Sequence, residues 1–491
     1  MPQMPRCAVV DLGSNSVRLV VFEGLQRNPL MIFNEKATLR LGRGLTESGR
    51  LNPEGVAQAV PVLARYYAIA RAMGADPFEV LATSAVRDAT NGPEFVAAVR
   101  EVMPGTPIRV LSGEEEAQLS AAGVLCGIPE ADGVLADIGG GSLELVRLDH
   151  GRLGTAATLR LGAIRLADRS GGDIAEARSI AQADLASVPW LAEGIGRTLY
   201  LVGGAWRALA RIHMLQTRYP LAIVHQYALG ADAALELGAL LSSRRALDRL
   251  AGVPRKRAED LPYAGVVLRR LLRATGASRV VFSADGIREG WLMQRVSPEV
   301  REEDPVLAAA RERARVLGRD PALPPRLAAW TAPLFTGETL HEARLREAAC
   351  WLSDTGSHDH PEYRAEQSFL RVLRLPGAGF DHPTRAFLAL TLALRYEAEP
   401  GSTFLAPARF LLDPVAMQRA ERLGAALRLA YTLSAGTPDL LAVTKLGVSL
   451  THLTLRLSPG LGVFAGEGMT RRLERLAQLC GLAPLLDAPI Q

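Results

Sequence analysis

The chain has 491 residues, 48% of them hydrophobic and 22% charged, so it is too long for one ordinary domain and too apolar for wholesale disorder. Its formal net charge is +4, and 53 of its 56 basic residues are arginines because only Lys36, Lys256 and Lys445 are lysines. The four cysteines lie far apart without metal-ligand spacing, and no uncharged apolar run approaches 18 residues, which argues against a disulfide framework, a structural zinc site and a membrane span.

The first part of the chain alternates predicted strands and helices. Residues 6–23 consist of an apolar run, a polar Gly/Ser/Asn turn and a second apolar run, which predicts strand, tight turn and strand. Apolar residues at helical spacing predict helices over 54–73 and 94–102. Between them, residues 80–89 predict a strand that ends in a loop.

The same pattern begins again near residue 128. Residues 133–149 predict a strand, a glycine turn and a strand. The same strand–turn–strand pattern therefore occurs twice, with Asp11 and Asp137 at equivalent positions 126 residues apart. This repeat predicts two similar α/β lobes, 1–127 and 128–300, with a cleft between them. Residues 301–491 show helical periodicity and predict a separate, mainly helical region.

Two glycine turns are the first candidate functional motifs. Asp11–Arg18 reads DLGSNSVR, and Asp137–Glu144 reads DIGGGSLE. Such turns present backbone N–H groups to phosphate oxygens, and the aspartate at the base can hold a hydrated cation. Each alone is also compatible with an ordinary hairpin turn. A strand follows the glycines in both, which excludes a dinucleotide-binding fingerprint, and the chain has no P-loop.

Three further segments carry charged residues. Ser112–Gln118 reads SGEEEAQ, whose carboxylates favour a helix N-terminus but could also supply a general base. Arg87 follows the predicted strand in ATSAVRDA, and Arg288 lies in SADGIREGWL. A third glycine turn occurs in LVGGAWR, Leu201–Arg207. Taken singly, each of these segments is as compatible with packing as with function.

Together these motifs, in this order, resemble the exopolyphosphatase/guanosine pentaphosphate phosphatase (Ppx/GppA) family of the acetate-kinase, sugar-kinase, Hsp70 and actin (ASKHA) superfamily. The resemblance covers about residues 6–295 and is weaker in HPEYRAEQS (360–368) and DHPTRAFLAL (381–390). It implies an α/β fold of two actin-like, ribonuclease H-like lobes around a cleft. A mainly α-helical, degenerate HD-like C-terminal region should follow them.

The resemblance also implies roles for individual residues. Glu115 matches the catalytic glutamate that activates water, and Asp137 and Glu144, with Asp11 as a further candidate, match positions that organise a divalent cation such as Mg²⁺. The remaining matches are the phosphate-binding candidates Ser14, Asn15, Arg18, Arg87, Gly139, Gly140, Gly141, Ser142 and Arg288.

The implied activity is hydrolysis of the terminal phosphoanhydride bonds of inorganic polyphosphate, with release of orthophosphate. The main alternative is hydrolysis of guanosine pentaphosphate to guanosine tetraphosphate. A kinase or ATPase of the same superfold and an alarmone-binding protein are further alternatives. The resemblance also implies a homodimer, with no specific nucleic-acid partner. We expect a cytoplasmic protein without a membrane partner, since the N-terminal apolar run is too short for a signal peptide.

Two features lie outside these motifs. Nine basic and three acidic residues between Arg244 and Arg273 leave a local charge of +6, which could attract a polyanion, although base composition explains most of the arginines. In the helical region the adjacent His-Asp pair of HD phosphohydrolases is replaced by Ser353-Asp354, so we predict no working second metal site there. The polar residues that suggest such a site are His341, Asp354, His358, His360 and Asp381.

Overall fold

The computed structural model describes residues 4–243, 247, 252 and 258–488. It divides into two compact units, Met1–Glu302 and Glu303–Gln491. Within the described ranges, no helix is both long and apolar enough to cross a membrane. The finer division of the first unit at residues 127 and 128 stays a prediction.

The first unit begins with a five-stranded sheet. Its strands are β1 (Arg6–Leu12), β2 (Ser16–Glu23), β3 (Met31–Thr38), β4 (Ala75–Ala82) and β5 (Ile108–Val110). The order is β3-β2-β1-β4-β5, with β1 antiparallel to β2 and parallel to β4. The central strand β1 is continuously buried over residues 7–10, as expected of a strand covered on both faces.

Helices connect and cover this sheet. They are α1 (Leu45–Ser48), α2 (Pro53–Ala72), α3 (Ser84–Asp88), α4 (Gly92–Val102) and α5 (Gly113–Gly127). The longest, α2, begins where the Asn52 side chain accepts a hydrogen bond from the Glu54 N–H and Pro53 occupies the first helical position. Its buried residues recur every three or four positions, which places one face of the helix on the sheet.

A second sheet in the same unit repeats this topology. Its strands are β6 (Gly133–Ile138), β7 (Leu143–Asp149), β8 (Arg152–Leu159), β9 (Thr198–Val202), β10 (Tyr227–Gly230) and β11 (Arg279–Phe282). The series β8-β7-β6-β9-β11 has the same order and strand directions as the first sheet, and β10 adds an antiparallel edge strand. The prediction of two similar actin-like lobes is therefore confirmed.

Seven helices described in this lobe surround the second sheet or follow it. They are α6 (Ala163–Arg169), α7 (Ile174–Ala186), α8 (Gly204–Gln216), α9 (Ala231–Leu241), α10 (Leu261–Thr275), α11 (Ile287–Met293) and α12 (Pro298–Glu302). The fully buried Trp206 on α8 anchors the core of this lobe, and its indole N–H donates to the Ala264 carbonyl on α10 at 3.2 Å.

Helices α5 and α11 cross with their backbones in contact. A Cβ added to Gly290 would lie 1.9 Å from the Leu119 carbonyl oxygen, and one added to Gly123 would lie 2.1 Å from that of Gly286. The indole N–H of Trp291 also donates to Glu79 Oε2 on β4 at 2.5 Å. Helix α11, which follows the second sheet, is thereby fixed to elements of the first lobe.

The second unit is mainly helical and contains a three-stranded sheet in the order β12-β13-β14. The strands are β12 (Thr444–Val448), β13 (His452–Leu457) and β14 (Ala483–Asp487). The helices are α13 (Pro305–Leu317), α14 (Leu323–Thr331), α15 (Leu340–Leu352), α16 (Arg364–Leu373), α17 (His382–Arg395), α18 (Ala406–Leu411), α19 (Pro414–Ser434), α20 (Pro438–Ala442) and α21 (Glu467–Cys480).

Four of the five polar residues that suggested an HD-type site have structural partners. Asp354 accepts hydrogen bonds from the Arg319 guanidinium, at 2.9 Å from Nη2 to Oδ1. Asp381 caps α17 by accepting from the Thr384 N–H at 2.8 Å. His341 lies 2.7 Å from the Arg344 guanidinium, and the His360 ring accepts from the Glu362 N–H at 3.4 Å.

Replacing Gly290 by alanine tests the close helix crossing. Alanine normally stabilises a helix interior relative to glycine, but here the added methyl group would collide with the Leu119 carbonyl. We expect Gly290→Ala to lower the free energy of unfolding by about 1–3 kcal/mol, measured by urea denaturation.

The control is Gly230→Ala, whose added Cβ would meet no atom within 4 Å. It should change the free energy of unfolding by less than about 1 kcal/mol. Equal stability of Gly290→Ala and the unmodified protein would contradict the described crossing.

Candidate active site

The two lobes enclose a cleft of about 1020 Å³. Both glycine turns line it, together with the first residues of α3, α6, α8 and α11. Helix N-termini expose unpaired N–H groups and carry partial positive charge, which favours anions. At the start of α8, Gly203 has φ +118°, and a Cβ there would lie 2.3 Å from the Ile138 carbonyl oxygen. Only glycine fits that position.

The two turns are built alike. The Gly13 N–H donates to the Ser16 carbonyl at 3.1 Å, and the Gly139 N–H donates to the Ser142 carbonyl at 3.0 Å. In the register of the strands, Asp11 faces Arg18 across one hairpin, and Asp137 faces Glu144 across the other. The predicted repeat therefore places a charged pair at the base of each turn.

The carbonyl groups of the turns accept hydrogen bonds from neighbouring segments of the chain. The Asn15 carbonyl accepts from the N–H groups of Leu39 and Arg40, both at 3.0 Å, and the Gly140 carbonyl accepts from the two residues 164 and 165, also at 3.0 Å. Within the described ranges, the N–H groups of Ser14, Asn15, Gly140 and Gly141 donate to no protein acceptor. Of these, Ser14, Asn15 and Gly140 line the cleft, so that their N–H groups are available to an anion there.

Glycine at two positions allows the turns to approach each other. A Cβ on Gly140 would lie 2.9 Å from the Ser14 Cβ, and one on Gly141 would lie 2.6 Å from Ser84 Oγ. The hydroxyl groups of Ser14 and Ser84 are 3.1 Å apart. Side chains at either glycine would separate the two lobes at the centre of the cleft.

Besides Asp260, which precedes α10, four carboxyl groups of the described residues line the cleft. Glu116, Asp137 and Glu144 are only 4%, 8% and 1% exposed, and Asp11 is partly exposed. Burial raises the pKa of all four, and for Glu144 the charge of Glu116 adds to the effect. Ser120 on α5 donates to Asp137 Oδ2 at 2.6 Å, whereas Glu144 Oε1 is buried without a hydrogen-bond partner.

The structure disagrees with the catalytic assignment of Glu115. Its carboxylate accepts the Ser112 N–H at 2.8 Å while the Ser112 hydroxyl accepts the Glu115 N–H, so it completes the capping box of α5. Its pKa is lowered by that backbone hydrogen bond, and it does not line the cleft. The next residue, Glu116, faces the cleft, where burial raises its pKa to about 7.

Arg87 differs from its predicted role. The predicted loop contains the short helix α3, and Arg87 near its end does not line the cleft. Its Nη1 donates to Glu116 Oε2 at 3.1 Å and to the Leu111 carbonyl at 2.8 Å. Arg87 therefore positions Glu116.

Three other arginines line the cleft: Arg18, Arg207 and Arg288. Arg288 is 8% exposed, with Nε 3.9 Å from Asp11 Oδ2 and with Nη1 buried without a hydrogen-bond partner. Burial, with the charges of Arg288 and Arg18, lowers the pKa of Arg207 to about 10. An anion between these guanidinium groups would relieve their repulsion.

Most predicted site residues meet in the cleft. Gly141 and Ser142 complete the second turn but are not lining residues, and Glu115 and Arg87 lie outside. The prediction omitted Glu116, Thr83, Ser84, Lys36 and Arg207. The predicted residues that line the cleft are Asp11, Ser14, Asn15, Arg18, Asp137, Gly139, Gly140, Glu144 and Arg288.

An acidic group on the surface also merits description. Atoms of Asp132, Asp149 and His150 lie within 4.8 Å of one another, and Arg197 forms ion pairs with both aspartates. Asp149 and His150 are exposed, Asp132 is half-buried, and the guanidinium offsets part of their negative charge. Among the described residues, no three of the cleft carboxylates approach one another as closely.

Comparison with known proteins supports this description. Residues 20–299 match the model of the Ppx/GppA phosphatase family, and residues 306–485 match the model described as exopolyphosphatase, C-terminal. Exopolyphosphatase 2 of Mycobacterium tuberculosis is 28% identical over 314 residues, which are 58% of this chain and 97% of that protein. Exopolyphosphatase 1 of Mycobacterium bovis is 30% identical over 308 residues, which are 60% of this chain and 89% of that protein.

Two solved structures share the fold. An exopolyphosphatase from Cytophaga hutchinsonii has a TM-score of 0.54 and 23% identity over 59% of this chain and 97% of that chain. The Aquifex aeolicus Ppx/GppA family member has a TM-score of 0.51 and 24% identity over 62% of this chain and 100% of that chain. Both alignments cover about three fifths of this chain.

The raised pKa of Glu116 predicts a pH-dependent stability. Between its ordinary value of 4.5 and about 7, folded Glu116 holds a proton that the unfolded chain releases, so stability falls as the pH rises through this window. Glu116→Gln removes the titrating carboxyl group and therefore removes this pH-dependent loss of stability. We expect its stability relative to the unmodified protein to increase by about 3 kcal/mol from pH 4 to pH 8, measured by urea denaturation without substrate or divalent cation.

Glu115 provides the control of opposite sign. Because its folded pKa is lowered, its contribution is present above its ordinary pKa and is lost as the pH falls. Glu115→Ala should therefore destabilise the protein more at pH 7 than at pH 3. The same pH trend in both variants would contradict the different environments of the two residues.

Proposed function

The chain belongs to the Ppx/GppA phosphatase family, and on that premise we propose that it is an exopolyphosphatase. It would hydrolyse the terminal phosphoanhydride bond of inorganic polyphosphate and release orthophosphate. The observation that carries this proposal is a buried carboxylate, Glu116, in a cleft whose other groups suit a phosphate chain. The sequence similarity to exopolyphosphatases supports the choice of substrate.

The terminal phosphate is held by backbone donors and guanidinium groups. The turn residues Ser14, Asn15 and Gly140 bring unpaired N–H groups to the cleft, and α8 adds its N-terminus at Gly203 and Gly204. Arg18, Arg207 and Arg288 supply positive charge. Phosphoryl transfer requires positioning and charge neutralisation more than covalent chemistry, and this donor set provides both.

Glu116 serves as the general base. With a pKa of about 7 it is partly ionised at neutral pH and can accept a proton from water, while its bond to Arg87 fixes the direction of the carboxylate. The water oxygen attacks the terminal phosphorus and the bridging P–O bond breaks. The proton passes to Glu116, and the products are orthophosphate and a chain shorter by one phosphate.

The acidic residues of the cleft suit a divalent cation. Asp11, Asp137 and Glu144 would hold it, because burial raises the pKa of all three and Glu144 Oε1 has no hydrogen-bond partner among the described residues, so that a bound cation would stabilise their ionised forms. Mg²⁺ fits this spacing because it keeps several waters and commonly binds through one or two carboxylates and substrate phosphates. Such an ion supplies charge neutralisation on the phosphate oxygens.

Guanosine pentaphosphate ends in the same phosphoanhydride, so the same chemistry would apply to it. The arginine-rich character of the second lobe favours the longer polyanion, because only a long chain can reach charge outside the cleft. A cytoplasmic homodimer also stays a prediction.

Phosphate release from long-chain polyphosphate and from guanosine pentaphosphate, with products resolved by length, tests the proposal. We expect a higher kcat/KM for polyphosphate. Glu116→Gln should lower kcat by about 10²–10⁴, the usual contribution of a general base, because the proton of the attacking water loses its acceptor.

Glu115→Gln is the matched control, since it removes the neighbouring negative charge but can keep the capping hydrogen bond. It should retain kcat within about threefold, because Glu115 does not face the cleft. Loss of activity in Glu115→Gln with normal activity in Glu116→Gln would reverse the assignment. Preference for guanosine pentaphosphate would overturn the choice of substrate.

A further inference from the structure

A groove outside the cleft runs between α7 and α10 in the second lobe. Its volume is about 770 Å³, with Gln182 and Leu185 from α7 and Arg270 and Arg273 from α10 among its lining residues. Within the described ranges, no aromatic side chain lines it. It contains the described end of the basic segment predicted from the sequence. The other basic residues of that segment, Arg244, Arg245, Arg249, Arg255, Lys256 and Arg257, lie outside the described residues.

Arg270 and Arg273 line this groove, and Arg269 and Arg178 lie close enough to act electrostatically on them or on each other. Arg269 and Arg273 are four residues apart, and Arg270 and Arg273 three, so all three lie on one side of α10. Arg178 is four residues before Gln182 and shares its face of α7, which packs against α10. We call Arg178, Arg269, Arg270 and Arg273 the arginine cluster.

Within the described ranges, the charged groups found to act on two of these arginines are all positive. The charged groups that act on Arg269 are the other three arginines, and those that act on Arg270 are Arg273 and Arg178. Burial and these like charges lower the pKa of both groups. The Nε atoms of Arg178 and Arg269 are buried without a hydrogen-bond partner. Among the described residues, none of the four forms a salt bridge within 4.0 Å.

Helix α10 connects this cluster to the cleft. Asp260, immediately before the helix, lines the cleft, and α10 then extends for 15 residues. At a rise of 1.5 Å per residue, Arg269 and Arg273 lie about 13–20 Å along the helix from Asp260. Residues 261–268 of α10 are buried, so a flexible polyanion whose terminus occupies the cleft would reach the arginine cluster over the outer surface of the second lobe.

We propose that the arginine cluster is a distal binding site for inorganic polyphosphate, which holds the chain while its terminus is hydrolysed. This inference rests on the proposed function. Guanidinium groups bind phosphate oxygens in pairs and remain charged, and repeated phosphates match four arginines. Single-stranded nucleic acid is less well matched because the groove offers no aromatic surface for bases to stack on.

The test compares two variants that each remove three positive charges. The cluster variant carries Arg269→Gln, Arg270→Gln and Arg273→Gln, which keep most of each aliphatic stem. The control carries Arg71→Gln, Arg100→Gln and Arg211→Gln, at three exposed arginines on other helices. Substrates are long-chain polyphosphate and tripolyphosphate, which is too short to span from the cleft to the cluster.

We expect KM for long-chain polyphosphate to rise on the order of tenfold in the cluster variant only, with a weaker dependence on salt concentration. The kcat/KM for tripolyphosphate should be unchanged in both variants. Replacement of the same three arginines by lysine should restore most of the affinity, because the charge returns. Equal KM values for cluster and control variants would overturn the proposal, as would an equal loss on tripolyphosphate.

Direct binding separates this proposal from the proposed function. In a Glu116→Gln background, filter retention of labelled long-chain polyphosphate should be weakened by the cluster substitutions and not by the control set. If the unmodified protein releases phosphate from neither substrate, the proposed function fails, whereas the binding result still decides the role of the cluster. Loss of binding to duplex DNA or anionic vesicles, with polyphosphate binding unchanged, would assign the surface to another partner and overturn the proposal.

Discussion

The burial of like charges at the centre of the cleft is the constraint on which the rest of this structure depends. Glu116, Asp137 and Glu144 are almost inaccessible, and Asp11 stands beside them on the cleft wall. Such an arrangement opposes folding unless rigid elements impose it and positive groups offset it. The burial that raises these pKa values destabilises the folded protein when the cleft is empty. It also provides a carboxylate that can act as a base near neutral pH, and it favours the binding of cations.

Backbone contacts impose this arrangement. Glycines let the hairpin turns approach within contact distance, and glycines again let α5 and α11 cross without intervening side chains. Helix α5 contributes Glu116, which binds Arg87, and Ser120, which binds Asp137. One helix thus fixes a carboxylate and a hydroxyl against strands and loops of both sheets. Close packing of backbone against backbone fixes the positions of the site residues. Glycine allows this packing because it has no side chain.

Much of this could be predicted from the sequence because hairpin turns are local. The repeat at Asp11 and Asp137 correctly predicted two lobes, and nine of the thirteen residues predicted for the site line the cleft. The roles of the three adjacent carboxylates were harder to assign from the sequence, since their side chains point in different directions from the helix. The spacing of Ser112 and Glu115 matches a capping box, and that signal could have assigned Glu115 to the helix end and left Glu116 for the cleft. The sequence analysis did not identify Arg207, because its position in the cleft depends on how the start of α8 is oriented toward the other lobe. No local sequence pattern predicts that orientation.

Titration of the glutamate carboxyl groups by ¹³C NMR, with and without Glu116→Gln, measures the ionisation of the proposed base itself. We expect one side-chain carboxyl with an apparent pKa of about 7 in the protein free of substrate and cation, and its signal should vanish in the variant. If Glu116 instead titrates near its ordinary value of 4.5, the buried and charge-repelled base described here would be contradicted.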